Sequence, residues 1–338
     1  MRFVVFGAGA IGSGIGGHLH RGGYDAVLVG RAAHVERIRG PGLQLITPEQ
    51  TYTLRVPAVT SAAEVGFADG DVVLLCVKSQ DTEAALVQIR AAGGDPRSLP
   101  IFCCQNSIVN EPAALRYFRR VYGVLVVVPG VFLEPGVVHN PISGNAGFLE
   151  CGLFPTGTDR LAEEVAAALA AAGYAAGVNA DVMAAKAAKL LRNLGNALGA
   201  ITDGVGDSAG YLSRVREEGQ RCLRAAGVAV EADADFDRRW RERRGKTVLP
   251  EGVCNLGSSW QSLRRGLGSI EADFLNGEIV RLGRLYGEPT PYNEVLQEVV
   301  NAMVARREKP GRYGVAELEQ LAASRAGGQA RSANKGNA

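Results

Sequence analysis

The sequence predicts two domains of different class, an α/β domain on a mostly parallel sheet followed by an all-α domain. Three observations carry that prediction. The chain opens with an apolar run, Met1-Arg2-Phe3-Val4-Val5-Phe6, that passes straight into Gly7-Ala8-Gly9-Ala10-Ile11-Gly12 and a helical pattern. Strand-like and helix-like segments then alternate as far as Val178. From about Asp181 long helical patterns take over with few strand signals. With 338 residues the chain can bury two full cores. The expected division is 1–178 for the α/β domain and 179–322 for the helical one. Residues 323–338, rich in Ala, Ser, Gly, Gln, Asn, Arg and Lys, are expected to form a disordered tail.

A strand, a Gly-x-Gly-x-x-Gly turn and a helix in that order form a Rossmann-type dinucleotide-binding start. The turn lets a pyrophosphate rest on backbone N–H groups at a helix N-terminus, so Gly7, Ala8, Gly9, Ala10, Ile11 and Gly12 are candidate cofactor-binding residues. The first helix is expected over Ile11–Arg21 and ends at Gly22-Gly23; Ala26–Val29 reads as the second strand. NAD-binding proteins commonly end that strand on Asp or Glu, which holds the ribose 2′-hydroxyl. Here the strand ends on Gly30-Arg31, and a guanidinium suits a 2′-phosphate, so Arg31 argues for NADP(H).

Leu43–Ile46 and Thr51–Val56 alternate around Pro48-Glu49-Gln50, as in a hairpin inserted in the sheet. Asp71–Val77 is a buried strand ending in Lys78-Ser79-Gln80; Ile101–Cys104 is another, ending in Gln105-Asn106-Ser107. Such strand ends are where open α/β sheets bind ligands. Helices are expected at Thr82–Ala92, Asn110–Phe118 and Asp159–Ala172, a strand at Gly123–Val128, and antiparallel edge strands over Gly130–Gly152. His139 in that last segment reads as a strand-surface residue.

Hydrophobic residues make up 46% and charged residues 21%, with 37 Lys+Arg against 35 Asp+Glu. That balance favours neither a nucleic-acid nor a membrane partner. No apolar run is long enough to span a bilayer. The six cysteines, Cys76, Cys103, Cys104, Cys151, Cys222 and Cys254, show no C-x-x-C pair and no metal-ligand spacing with the four histidines. They read as reduced thiols of a cytoplasmic protein without a metal site. The charge run Asp233–Lys246 reads as a solvated face. Oligomeric state stays open, a homodimer included.

In the second half, Lys189-Leu190-Leu191-Arg192-Asn193-Leu194-Gly195-Asn196 stands out. At about 100° per residue, Lys189, Asn193 and Asn196 fall within about 60° of one another on a helix. A partly desolvated ammonium can donate a proton, and carboxamides can hold a carbonyl or hydroxyl. Lys186 lies on nearly the same face and competes for the donor role. Further on, Ser269 can cap a helix whose first turn holds Glu271.

Together these stretches resemble the ketopantoate reductase family. The resemblance runs from Met1 to about Leu321. It rests on the glycine turn, Val77-Lys78-Ser79-Gln80, Gln105-Asn106, Pro135–His139, Lys189-Leu190-x-x-Asn193, Ser258-Ser259, Glu271-x-Asp273-x-x-Asn276-Gly277 and Pro289–Asn293. It implies a Rossmann-type domain, a helical C-terminal domain and an active site in the cleft between them. The implied activity is NADPH-dependent reduction of the small 2-oxo acid ketopantoate to pantoate, a step toward pantothenate and coenzyme A. By the same resemblance Lys189 is the general acid and Glu271 the carboxylate that helps position it. Asn193, Asn196 and Ser259 hold substrate, while Lys78 and Asn106 meet the cofactor near its nicotinamide. Two positions depart from the family pattern: Ala197 stands where many members have a second Asn, with Asn196 one residue earlier, and Ser107 stands where Gly is usual. Both departures leave open another 2-oxo acid or specialised metabolite as substrate. A non-catalytic NADP(H)-binding sensor is the remaining alternative.

Overall fold

The computed structural model describes residues 1–243, 245–249, 257–266 and 268–335. Cys254, Asn255 and Leu256 lie outside the described residues. The elements run β1 (Arg2–Phe6), α1 (Ala10–Arg21), β2 (Asp25–Val29), α2 (Ala32–Arg39), β3 (Leu43–Ile46), β4 (Thr51–Leu54), β5 (Ala58–Val59), β6 (Asp71–Leu75), α3 (Thr82–Ala91), β7 (Pro100–Cys103), α4 (Asn110–Leu115) and β8 (Arg120–Val127). They continue with β9 (Val137–His139), β10 (Ile142–Ser143), β11 (Phe148–Leu153), α5 (Arg160–Ala171), β12 (Ala175–Val178), α6 (Val182–Asn193), α7 (Gly195–Thr202), α8 (Ala209–Ala225), α9 (Asp233–Arg243), β13 (Lys246–Thr247), α10 (Gly257–Arg264), α11 (Asn276–Tyr286), α12 (Pro291–Ala305) and α13 (Val315–Lys335).

The chain divides into two compact units, Met1–Lys186 with Glu231–Val253, and Ala187–Val230 with Cys254–Ala338. In the first, among the described residues, strands follow the order β12-β11-β8-β7-β6-β1-β2-β5. Pairing is parallel from β5 across to β8; β11 runs antiparallel to β8, and β12 parallel to β11. The central strands are apolar throughout because both sheet faces are covered. Phe3 and Val5 join Ile15, Leu19, Val165 and Leu169 on one face, while Val4 and Phe6 join Leu86 and Ile89 on the other.

One pairing in the sheets departs from the sequence reading. The hairpin β3–β4 forms, but it pairs with β9 in a separate three-stranded sheet instead of joining the main one. The charge run lies largely on a solvated face, as expected: Asp233, Asp237, Arg238, Arg241, Glu242 and Arg243 are exposed, and only the inner side of the helix is packed. On α9, Phe236 is buried and Arg239 pairs with Glu150 and Glu231, with its guanidinium over the Phe148 and Phe236 rings. That packing, with β13 on β10, goes with the grouping of the stretch from Glu231 in the first unit. The last described element, α13, spans Val315–Lys335.

The second unit is helical. Its interior is organised around a buried polar chain. Glu218 on α8 accepts the backbone N–H of Tyr292 and of Asn293, each at 3.0 Å, and so caps the N-terminus of α12. Asn293 Nδ2 donates to Val215 O at 3.0 Å and back to Glu218 at 2.8 Å. Asn276 Nδ2 donates to Asn293 Oδ1 and to Leu194 O, both at 3.0 Å. Leu194 is where α6 gives way to α7. The chain of amides thus ends on the one carbonyl that a helix break exposes.

Candidate active site

In the first unit the glycines of the opening turn do three different jobs. Gly7 has φ +111°, and a Cβ there would run into the backbone of Cys76 and Val77 at the end of β6. A Cβ at Gly12 would meet the Gly7 carbonyl, so this glycine lets α1 close onto the turn. At Gly9 no heavy atom of the described residues lies within 4 Å of the Cβ position, leaving open space above the turn. No side chain among the described residues caps α1, and its first turn carries no acidic residue. Its first N–H groups and the positive end of its dipole therefore suit an anion. These residues fit a dinucleotide pyrophosphate.

Arg31 lies at the end of β2 as the N-cap of α2, exposed, and no carboxylate occupies the strand end. Three residues on, His34 is buried and ties α2 to α1 and to the loop before β9. Gly136 N donates to its Nδ1 at 2.8 Å, and its Nε2 lies 2.9 Å from Ser13 Oγ. Burial holds its pKa down at about 4.

On the other side of β1, the loops after β6 and β7 are knitted together. Gln105 Nε2 donates to Thr82 Oγ1 at 3.0 Å, and Thr82 Oγ1 donates to Asn110 Oδ1 at 2.7 Å. Asn110 Nδ2 donates to Ser79 Oγ at 3.2 Å and to Asn106 O at 2.9 Å. Lys78 and Asn106, the two candidate cofactor contacts here, therefore stand on one hydrogen-bonded platform, and both are half-buried. Ser107 follows with φ +72°, a left-handed conformation that explains why glycine suits this position. Its side chain is buried, and its Oγ has no hydrogen-bond partner among the described residues.

The two candidate lysines of α6 have opposite surroundings. Lys186 is 3% exposed. Its ammonium donates to Gln105 O at 2.8 Å, Cys103 O at 3.2 Å and Val124 O at 3.3 Å, and lies 2.6 Å from Glu111 Oε1. Three N–H bonds go to three carbonyls, and the carboxylate supplies the counter-charge. Lys186 has no proton left to offer a substrate. Lys189 is half-buried, as are Asn193 and Asn196.

In the second unit, the helix assumed in the angle argument is interrupted at Leu194, so Asn196 belongs to α7 and not to α6. Its carboxamide lies against Gly257, where a Cβ would come within 2.8 Å of Asn196 Oδ1. Gly257 opens α10, which packs on α7 and carries buried Ser259. Glu271 is buried at 8% exposure, but it starts a short 3-10 helix, Glu271–Phe274, whose N-cap is Ile270 and not Ser269. Asp273 in that turn accepts from Gln297 at 2.7 Å and Asn301 at 2.6 Å, which binds it to α12.

The sequence reading missed Glu111, Asn110, Thr82, His34 and the structural role of Asn276. Asn276 and Glu111 leave a faint trace as polar residues close to apolar ones; Thr82, in the polar run Ser79-Gln80-Asp81-Thr82-Glu83, leaves none.

A doubly wound sheet with this turn at its centre, joined to a helical unit with a Lys/Asn face, defines the class: a dinucleotide-dependent oxidoreductase. Residues 3–148 match the family described as "Ketopantoate reductase PanE/ApbA", and residues 181–304 match its C-terminal counterpart. The 2-dehydropantoate 2-reductase of Pyrococcus horikoshii is 30% identical over 89% of this chain and 97% of its own length. That of Halobacterium salinarum is 31% identical over 89% and 98%. The solved structure of a PanE/ApbA family ketopantoate reductase from Ralstonia eutropha JMP134 is 30% identical, with a TM-score of 0.76 over 91% of this chain and 99% of that one. D-mandelate dehydrogenase with NADH and anilino(oxo)acetate shares the fold at a TM-score of 0.78 and 24% identity, covering 91% and 99%. The chain belongs to the ketopantoate reductase family, whose members named here are oxidoreductases. Among the described residues no helix is long and apolar enough to cross a membrane.

Proposed function

We propose that this chain reduces ketopantoate to pantoate with NADPH, using Lys189 as the general acid. The observation that carries the assignment of the acid is the contrast between the two lysines. Lys186 is consumed by Glu111 and three carbonyls, while Lys189 is half-buried on the polar side of the same helix, with Asn193 one turn on.

Bound NADPH supplies hydride to the carbonyl carbon of the 2-oxo acid. As charge builds on the carbonyl oxygen, the Lys189 ammonium stabilises it and then transfers a proton to it, leaving the 2-hydroxy acid and a neutral amine that regains its proton from water. Asn193, Asn196 and Ser259 hold the substrate's oxygens, and the buried Glu271 carboxylate orients the lysine. Arg31 pairs with the 2′-phosphate, and Gly7 to Gly12 seat the pyrophosphate.

A second reading keeps this chemistry and changes the acid. It is favoured by Ser107, a buried hydroxyl at a left-handed position where the family usually has glycine. The relative that binds anilino(oxo)acetate shares the fold. NADPH oxidation by the purified protein, with ketopantoate and a panel of 2-oxo acids and with NADH in parallel, tests both. Fast turnover of ketopantoate with NADPH alone supports the first reading. Turnover only of another acid supports the second, and no turnover of any acid despite NADPH binding rejects both.

A further inference from the structure

Lys186 and Glu111 form a buried ion pair that proton transfer does not use. Isolated buried charges are expensive, and a buried pair is rarely worth more to folding than well-packed apolar side chains. Its placement points to another role. Glu111 lies in α4 and is fully buried, and burial pushes its carboxyl up while Lys186 draws it down. The Lys186 ammonium is bonded to the last carbonyls of β7 and its loop, Cys103 and Gln105, and to Val124 in the neighbouring β8. The Cys103 and Gln105 carbonyls stand at the carboxyl end of β7, with β6 between them and the strand of the glycine turn, and Val124 lies next to them within β8.

The strand order decides what lies above them. With the pyrophosphate on α1 beside β1, Arg31 at the end of β2 takes the adenosine half. The other half of the dinucleotide must then pass over β6 and β7 on the opposite side of β1. Its floor is the loop 104–107 and the platform of Thr82, Asn110, Ser79 and Asn106. Lys186 pins that loop from beneath through Gln105 O, one residue before Asn106 and two before the left-handed Ser107.

We propose that Lys186 and Glu111 are a positioning pair that holds the β7 edge loop in register under the nicotinamide half of the bound dinucleotide, without touching the cofactor. The pair acts through Gln105 and Asn106. Its loss misplaces the hydride donor while leaving the adenosine half seated. This rests on the reading that the chain binds NADPH.

The test is the double variant Lys186→Met with Glu111→Gln, which removes both charges together and keeps side-chain size. Two dissociation constants are measured, for NADPH and for adenosine 2′,5′-bisphosphate, which engages only the Arg31 half, together with kcat on the preferred 2-oxo acid. The expected result is unchanged binding of the bisphosphate, NADPH binding weakened about tenfold and kcat lowered about 10²-fold, the scale of a misplacement near 1 Å. A merely structural role would weaken both ligands alike, and that result overturns the proposal. So does a double variant with wild-type NADPH affinity and kcat. Should the double variant fail to fold, Glu111→Asp is read the same way: it keeps both charges and the three carbonyl bonds of Lys186 and only draws the carboxylate back by one methylene. The same split between ligands supports the proposal, and no split overturns it. If the wild-type chain binds adenosine 2′,5′-bisphosphate no better than 5′-AMP and NADPH no better than NADH, the NADPH reading falls first, and the pair is then judged by the same split between NADH and 5′-AMP.

Discussion

Mild acid should loosen this protein through its buried histidines, and His34 offers the sharpest test. Gly136 N–H donates to Nδ1, so Nδ1 carries the lone pair and the ring's single proton sits on Nε2, facing Ser13 Oγ. Adding a proton to Nδ1 would set two donors against each other in a dry site. Burial accordingly holds the pKa near 4 against 6.5 for an exposed ring. The fold favours the neutral form, so this stability is complete above pH 6.5 and is lost as pH falls through the window from 6.5 to about 4. The loss amounts to about 2 kcal/mol at about pH 5 and about 3 kcal/mol by about pH 4. The assay is urea unfolding at about pH 7.5 and about pH 5, comparing the wild-type chain with His34→Gln, whose amide keeps one donor and one acceptor. The wild-type chain should lose about 2 kcal/mol more than the variant across that interval. His18, also held near 4 by burial, titrates alike in both proteins and cancels. The carboxyls of Glu111 and Glu218, pushed up by burial, pull the other way and cancel too. Equal losses in the two proteins would refute the argument and place His34 in contact with solvent.

Three further outcomes follow from the site. Lys189→Ala should lower kcat by about 10²–10⁴-fold with the NADPH dissociation constant unchanged, the usual worth of a positioned general acid; unchanged turnover would remove Lys189 from that role. Arg31→Ala should weaken NADPH by about 1.5–3 kcal/mol, the worth of a charged hydrogen bond, and leave NADH binding as it was; equal loss for both cofactors would place Arg31 away from the 2′-phosphate. Ser107→Gly relieves a left-handed backbone and removes a buried hydroxyl without a partner, so it should raise stability by about 1 kcal/mol in urea unfolding. A lower midpoint would mean that the hydroxyl is bonded in solution.

The first unit was legible because its cues are local. Runs such as Phe3–Phe6 and Val72–Leu75 are apolar at every position, which only a strand covered on both faces requires, and the glycine turn sits directly after one of them. What escaped depends on partners far along the chain. The hairpin β3–β4 alternates as a half-buried pair should, but nothing in it says which strand it will join, and β9 is far away. Most charges of α9 are solvated as the pattern suggests, but nothing local says that Arg239 turns inward to Glu150 and Glu231. The face that groups Lys189, Asn193 and Asn196 presumes an unbroken helix. Leu194 breaks it, and the Asn276 amide that meets the exposed carbonyl comes from a helix far downstream.

The two lysines show why spacing alone could not choose the proton donor. They are three residues apart on one helix, so periodicity gives them almost the same face. The surroundings of Lys186 are made by Glu111, by the end of β7 and its loop, and by Val124 within β8. At Lys186 three backbone carbonyls and a carboxylate surround the ammonium and use every N–H. Burial with a counter-charge makes Lys186 an anchor, whereas Lys189 is half-buried, the state the proposed proton donor requires. Exchanging the two roles would need more than moving an ammonium. A chain with Lys189→Met would still hold its β7 edge loop and bind the cofactor, whereas one with Lys186→Met alone would strand Glu111 as an uncompensated buried charge and lose about 3–5 kcal/mol of stability.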